Sequence, residues 1–254
     1  MKSARILREK LATKSPVVGL LYSFDISLEL VEAAIAAGCD YVILDGEHLD
    51  HGSAQVAEAC RMCRLADFPA LVRPASTSAD VIRTTMDLGA CGMLLPMVET
   101  PAQLDEIRQG AYMPPRGRRR PGGPGNRWLQ QYDYATFKSV VEDHLIVIPQ
   151  IESRLGLENA DAIAADEMVT AMGLGPFDLS ADLGHCFDPD HPELVAAWQR
   201  VLSAATGAGK RMWAIGSPET LRRRGVTFTC VGEPVELLRS AAAALVQEVR
   251  GWPG

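Results

Sequence analysis

Asp40-Tyr-Val-Ile-Leu-Asp45-Gly-Glu47-His48 is an apolar run that stops abruptly at two carboxylates and an imidazole. Four consecutive apolar residues with no alternation read as a strand buried on both faces, as in a parallel sheet covered by helices. In such sheets the chemistry gathers at the carboxyl ends of the strands, which is where the polar cluster lies.

Working outward, seven further runs have the same character: residues 16–22, 69–73, 91–96, 145–151, 168–174, 211–216 and 226–231, with 40–45 as the second of eight. Each is followed by apolar residues at helical spacing, such as Leu28, Val31, Ala34 and Ile35 after the first. Glycines at 38, 89 and 225 precede strands at positions where a left-handed residue stops a helix. Eight β/α units without a linker predict an α/β fold, a (β/α)8 TIM barrel occupying 1–254 as a single domain. One connection breaks the rhythm. After the fourth unit, Tyr112 to about Val141 carries Met113-Pro-Pro-Arg-Gly-Arg-Arg-Arg-Pro-Gly-Gly-Pro-Gly125, longer than a turn requires. A functional excursion and a solvated basic loop both fit it.

The net charge of −7 argues against nucleic acid or an anionic membrane as partner, since both require a basic face. No apolar stretch approaches the roughly 20 residues that span a bilayer, and the N-terminus lacks the apolar centre of a secretory signal. A cytoplasmic location is expected. Six scattered cysteines suit reduced thiols. Cys60 and Cys63 have C-x-x-C spacing but lie in a helical pattern with no second pair, so packing is the expected role.

Reading the strand ends in turn gives Asp45, Glu47 and His48 after the second, Arg73 after the third and Glu99 beyond the fourth. Gln150 and Glu152 follow at the fifth, and Asp178 after the sixth. Glu152 and Asp178 on adjacent strand ends could share a hard divalent cation, or each could cap a helix. His48 has the right pKa range to move a proton, with Asp45 three residues earlier to fix its tautomer; His51, His144, His185 and His191 fall in loops or near helix starts. Arg73 could hold a carboxylate or enolate oxygen, or pair with the rim acids. The Gly175-Pro176 turn opens a helix whose first N–H groups could hold an anion. The five lysines, at 2, 10, 14, 138 and 210, all avoid the strand ends, which excludes Schiff-base chemistry there.

Several separated motifs in order carry a resemblance: Asp40–His48, Val72-Arg-Pro74, Met86–Glu99, Pro114–Arg118, Gln150-Ile-Glu-Ser153, Gly175–Ser180 and His191-Pro192. From about Val18 to Ala244 the chain resembles the HpcH/HpaI aldolases, metal-dependent pyruvate aldolases. The resemblance implies a metal-dependent aldolase or lyase joining or cleaving a pyruvate-type enolate and an aldehyde, with 4-hydroxy-2-oxo acids as substrates. It implies Glu152 and Asp178 as ligands of Mg2+, Mn2+ or Co2+, with Glu47 supporting them. His48 would be the general base, oriented by Asp45 with help from Asp87; Arg73 would hold the enolate oxygen. Gln150, Gly175, Pro176, Phe177 and Asp178 would line the substrate site. It also implies a trimer or hexamer, with the terminal helix exchanged between subunits and the 112–130 loop reaching a neighbour.

The chain departs from the pattern at Tyr112-Met-Pro-Pro, at Arg118–Pro121, at Thr170, at Gly232-Glu233-Pro234 and in a short 217–225 segment. These put the aldehyde side in question more than the metal side. The alternatives are an oxaloacetate-type decarboxylase or a specialised C–C bond-forming enzyme using the same enolate, and a barrel retained only for binding.

Overall fold

The computed structural model describes residues 1–48, 52–120, 127–129 and 133–252. Eight parallel strands close into a barrel in chain order: β1 (Val17–Tyr22), β2 (Tyr41–Asp45), β3 (Ala70–Arg73), β4 (Gly92–Leu95), β5 (Ile146–Ile151), β6 (Ala171–Leu174), β7 (Arg211–Ile215) and β8 (Phe228–Cys230). Every strand lies inside an apolar run identified from the sequence. The sixth begins three residues later than its run because Met168 and Val169 pack beneath the barrel and the Thr170 hydroxyl accepts the Val147 N–H at 3.1 Å.

Helices α2 (Leu28–Ala36), α3 (Ser53–Leu65), α4 (Ala79–Asp87) and α5 (Pro101–Ala111) follow the first four strands, after α1 (Lys2–Ala12) at the N-terminus. Next come α6 (Tyr134–Val140), α7 (Arg154–Glu158), α8 (Ala160–Ala165), α9 (Pro176–Asp182), α10 (Pro192–Gly207), α11 (Pro218–Arg223) and α12 (Pro234–Arg250). Met1, Ala4 and Leu7 of the amino-terminal segment join the core that contains the barrel interior. Gly38, Gly89 and Gly225 have φ of 84, 93 and 74°, the left-handed values that end a helix before the next strand.

Tyr41, at the start of β2, fills the barrel centre: its hydroxyl donates to the Thr229 carbonyl (2.8 Å) and accepts from Trp213 Nε1 (2.7 Å). A Cβ at Gly19 would come within 2.5 Å of that ring, so glycine on β1 is what lets Tyr41 seat. The packed interior leaves chemistry to the rim. Cys60 and Cys63 are buried free thiols on α3, and burial pushes the Cys63 thiol up to about 12, which fits packing rather than reactivity.

The last helix behaves differently. Of the 17 residues of α12 only Pro234 is buried, and Leu238, Leu245 and Val249 are exposed along it.

Candidate active site

The strand ends surround a cavity of about 650 Å³ whose walls include His48, Arg73, Gln150 and the turn from Gly175 to Asp178. Parallel register brings the pieces together: Asp45, last in β2, is the partner of Arg73, last in β3.

Asp45 is fully buried. Its Oδ1 accepts from Arg73 Nε at 2.8 Å and from the Glu47 N–H at 3.0 Å; its Oδ2 accepts from Arg73 Nη2 and from Ser23 Oγ at 2.9 Å. Burial alone would raise the carboxyl's pKa, but the bidentate Arg73 contact and its charge hold it below the usual carboxylate range. Arg73 is likewise kept protonated; its Nε also lies 3.2 Å from Glu47 Oε2. The guanidinium is thus fixed in orientation by two carboxylates and presents its remaining edge to the cavity.

Asp45 and Asp87, both expected to orient His48, have other partners within this chain. Asp45 engages both oxygens with Arg73, Ser23 and the Glu47 amide, so within the chain it orients the guanidinium. The reason is directional: Asp45 faces the neighbouring strand, while His48 stands beyond Gly46 on the loop. The carboxylate beside His48 is Glu47, whose Oε2 is 3.7 Å from Nε2. Asp87, the last residue of α4, pairs with the buried Arg119 at 2.7 Å, and its carbonyl accepts from Arg127 Nε at 2.6 Å. Within the chain it anchors the arginine-rich loop. Arg116 in the same loop lies over the Tyr112 ring and pairs with Glu142 and Asp143. In the described part of the loop Tyr112, Met113 and Arg119 are buried, while Pro114, Pro115, Arg118 and Arg120 are exposed. Residues 121–126 and 130–132, on which reach to a neighbour depends, lie outside the described residues, as does His51.

Glu152 supplies the strongest evidence for a cation. It is 3 % exposed; Oε1 accepts the Met97 N–H at 2.6 Å, whereas Oε2 is buried without a hydrogen-bond partner. Burial first, then the charges of Glu47 and Asp178, push its pKa up to about 8 despite the Met97 amide and Arg73. Glu47 is also raised, chiefly by burial. A buried carboxyl facing two more carboxylates is stable as an anion when a cation lies among them. Gly175 keeps the space open: a Cβ there would sit 2.2 Å from Glu152 Oε2 and 2.4 Å from Gln150 Nε2. Gln150 Oε1 is a second buried oxygen without a partner. Asp178 stands exposed in the first turn of α9, with no capping bond from Gly175. The all-oxygen donor set suits a hard divalent ion.

Sequence reasoning missed three contributors. Ser23, polar at the end of β1, was visible as a rim residue. Glu233, at the N-cap of α12, is 8 % exposed and has Oε1 buried without a partner on the far side of the cavity. Met97 has a φ of 48°, costly for a non-glycine residue, and this turn aims its N–H at Glu152; no sequence signal announces it. Glu99, by contrast, accepts from Ser153 Oγ at 2.7 Å and braces the start of α7 outside the cavity. No lysine lines the cavity among the described residues.

The profile of the HpcH/HpaI aldolase/citrate lyase family matches residues 20–241. The chain is similar to a hydroxypyruvate/pyruvate aldolase of Deinococcus radiodurans, 37% identical over 84% of this chain and 79% of the relative. It is also similar to a 4-hydroxy-2-oxo-heptane-1,7-dioate aldolase of Shigella sonnei, 31% identical over 91% and 89%. Among solved structures, an HpcH/HpaI aldolase from Desulfitobacterium hafniense superposes with a TM-score of 0.88 at 26% identity, covering 98% of both chains.

Proposed function

The chain belongs to the HpcH/HpaI aldolase/citrate lyase family, and from that premise we propose that it is a divalent-metal-dependent lyase of 4-hydroxy-2-oxo acids, exchanging a pyruvate-type enolate with an aldehyde. The observation that carries this reading is Glu152 Oε2, buried without a partner beside Gly175 and within the field of Glu47, Asp178 and Arg73.

Glu152 and Asp178 would hold Mg2+, Mn2+ or Co2+, with Glu47 supporting the site. When bound, the ion supplies Lewis-acid stabilisation of the negative charge that develops on the keto oxygen. The remaining work falls to the chain. Arg73, immobilised by Asp45 and Glu47, meets that same charge with a donor already in place, so little reorganisation is needed as the bond breaks. In cleavage, His48 removes the proton from the C4 hydroxyl; the C3–C4 electron pair passes to the enolate, and the aldehyde leaves. A proton then returns to C3, giving pyruvate. Glu47 Oε2 lies 3.7 Å from His48 Nε2. The N–H groups following Pro176 are suited to the donor's carboxylate.

The far wall bears on the second substrate. Phe24, Phe177 and Ile215 give it apolar faces, Glu233 and Glu236 give it acids, and Arg73 is the one cation among the described lining residues. An uncharged, hydroxyl-bearing aldehyde fits these walls, with a hydroxyl donating to Glu233 Oε1; a carboxylate-ended aldehyde meets repulsion. The named relatives are aldolases, which favours aldol chemistry over decarboxylation. The exposed apolar residues of α12 support exchange of this helix within a trimer or hexamer, and a cytoplasmic, single-domain enzyme is the simplest setting. No described helix is long and apolar enough to cross a membrane.

Pyruvate release from 4-hydroxy-2-oxo acids, measured before and after thorough chelation, tests the reading. Release that stops on metal removal and returns with Mg2+ or Mn2+ supports it; release indifferent to chelation overturns it.

A further inference from the structure

A second group of ligating side chains lies outside the cavity, where the loop after α9 meets the start of α10. His185 Nε2 is 3.2 Å from Glu193 Oε2, and the His185 and His191 rings stack with centroids 3.3 Å apart and planes 18° from parallel. One ligand atom from each of His185, His191 and Glu193 falls within 4.8 Å of the others.

The backbone presents these groups in a defined way. The His185 N–H donates to the Ser180 carbonyl at 2.8 Å, and the Ser180 hydroxyl ties the loop twice more, donating to the Phe177 carbonyl (2.6 Å) and accepting the Phe187 N–H (3.1 Å). On the other side, His191 Nδ1 accepts the Glu193 N–H at 3.3 Å, which caps α10 and leaves Nε2 as the free nitrogen. The cap accounts for one nitrogen, and the Glu193 contact accounts for His185. Neither accounts for a second imidazole held face to face with the first. Two stacked imidazoles offer nitrogen lone pairs to a cation after a modest splay of the rings.

We propose that His185, His191 and Glu193 form a second metal site, selective for a borderline transition ion of the Zn2+, Ni2+ or Co2+ class and distinct from the oxygen-only site at Glu152 and Asp178. Imidazole nitrogens with one carboxylate are the donors such ions take in three-ligand sites, with solvent in the remaining position. The charges around it are mixed: Arg154 lies 3.8 Å from Glu193 Oε2, while Asp190 is occupied by Arg223 and Arg224. The site joins the loop leaving α9 to α10, and α9 carries Asp178, so a bound ion braces the helix that forms one wall of the catalytic cavity.

The test uses the metal-stripped full chain carrying Glu152→Gln and Asp178→Asn, which removes the oxygen-only site. Titration with Zn2+ by calorimetry, and with Co2+ by visible absorption, should show one equivalent bound through nitrogen. Adding His185→Ala, and separately Glu193→Gln, should weaken binding by about tenfold or more, at least the effect of losing a partner of a metal ligand. Absence of Zn2+ binding in the double variant, or binding unchanged by His185→Ala, overturns the proposal. His185→Ala alone should retain Mg2+-supported pyruvate release, and when added to the Glu152→Gln, Asp178→Asn chain it should abolish the rise in melting temperature that Zn2+ gives that chain. Failure of this site is thereby read separately from failure of the lyase reading.

Discussion

Glu152→Gln separates the carboxyl's burden on the fold from its service to the metal. In the metal-free chain the carboxyl rises from its ordinary 4.5 to about 8, mainly through burial. A group raised in this way contributes stability below its unfolded value, and that contribution is lost as pH climbs to the folded value, because between the two the unfolded chain has already released its proton. At 1.36 kcal/mol for each tenfold change, the loss between pH 4.5 and pH 8 is about 5 kcal/mol at most. Part of it is shared with Glu47, which is raised by the same burial and neighbours. Glutamine keeps the shape and cannot ionise, so metal-free Glu152→Gln should melt higher than metal-free wild type at pH 8, by on the order of 10 °C, and match it near pH 5. Mg2+ or Mn2+ should raise the wild-type melting temperature at pH 8 and leave the variant unmoved, since the ion stabilises only the state that binds it. Calorimetric melts from pH 5 to pH 8, with and without metal, measure both. A flat wild-type profile in the absence of metal, or equal stabilisation of both proteins by the ion, refutes the reasoning.

Two further outcomes follow from the same geometry. Asp45→Asn leaves Arg73 buried with a weakened partner and should cost about 3–5 kcal/mol of stability and much of the turnover; the acid limb of the pH–rate profile should stay in place, whereas an Asp45 that orients His48 would shift it. Leu238→Asp with Leu245→Asp on the exposed face of α12 should yield smaller assemblies in sedimentation without unfolding the barrel, and unchanged assembly would remove the helix from the interface.

The strands were legible because a strand buried on both faces has few polar positions to interrupt it: Tyr41–Leu44 and Ile146–Pro149 run apolar without a break, and in these two strands polar residues enter only at the rim, with Asp45 and Gln150. The helix ends were legible through Gly38, Gly89 and Gly225, where the backbone leaves the region other residues favour. The residue types of the rim could be read because each stands where a strand stops. Their partners could not. Whether Asp45 turns to Arg73 or to His48 depends on register with β3 and on the bend at Gly46, and the amide that meets Glu152 comes from Met97 in a conformation that methionine seldom adopts. Asp87 illustrates the same limit, since the arginine it meets lies in the long loop, 32 residues further on. His185 and His191 looked like unrelated loop residues because only the turn after α9 stacks their rings.

The central claim is that this cavity stabilises the enolate of pyruvate with a divalent ion and Arg73 while His48 moves the proton. Exchange of the pyruvate methyl protons in deuterated water, followed by NMR with Mg2+, isolates that step from any aldehyde. The metal-loaded enzyme should exchange readily, and both the metal-stripped enzyme and His48→Ala should slow by about 10²–10⁴-fold. Exchange that survives metal removal, or that runs near the wild-type rate in His48→Ala, contradicts the account.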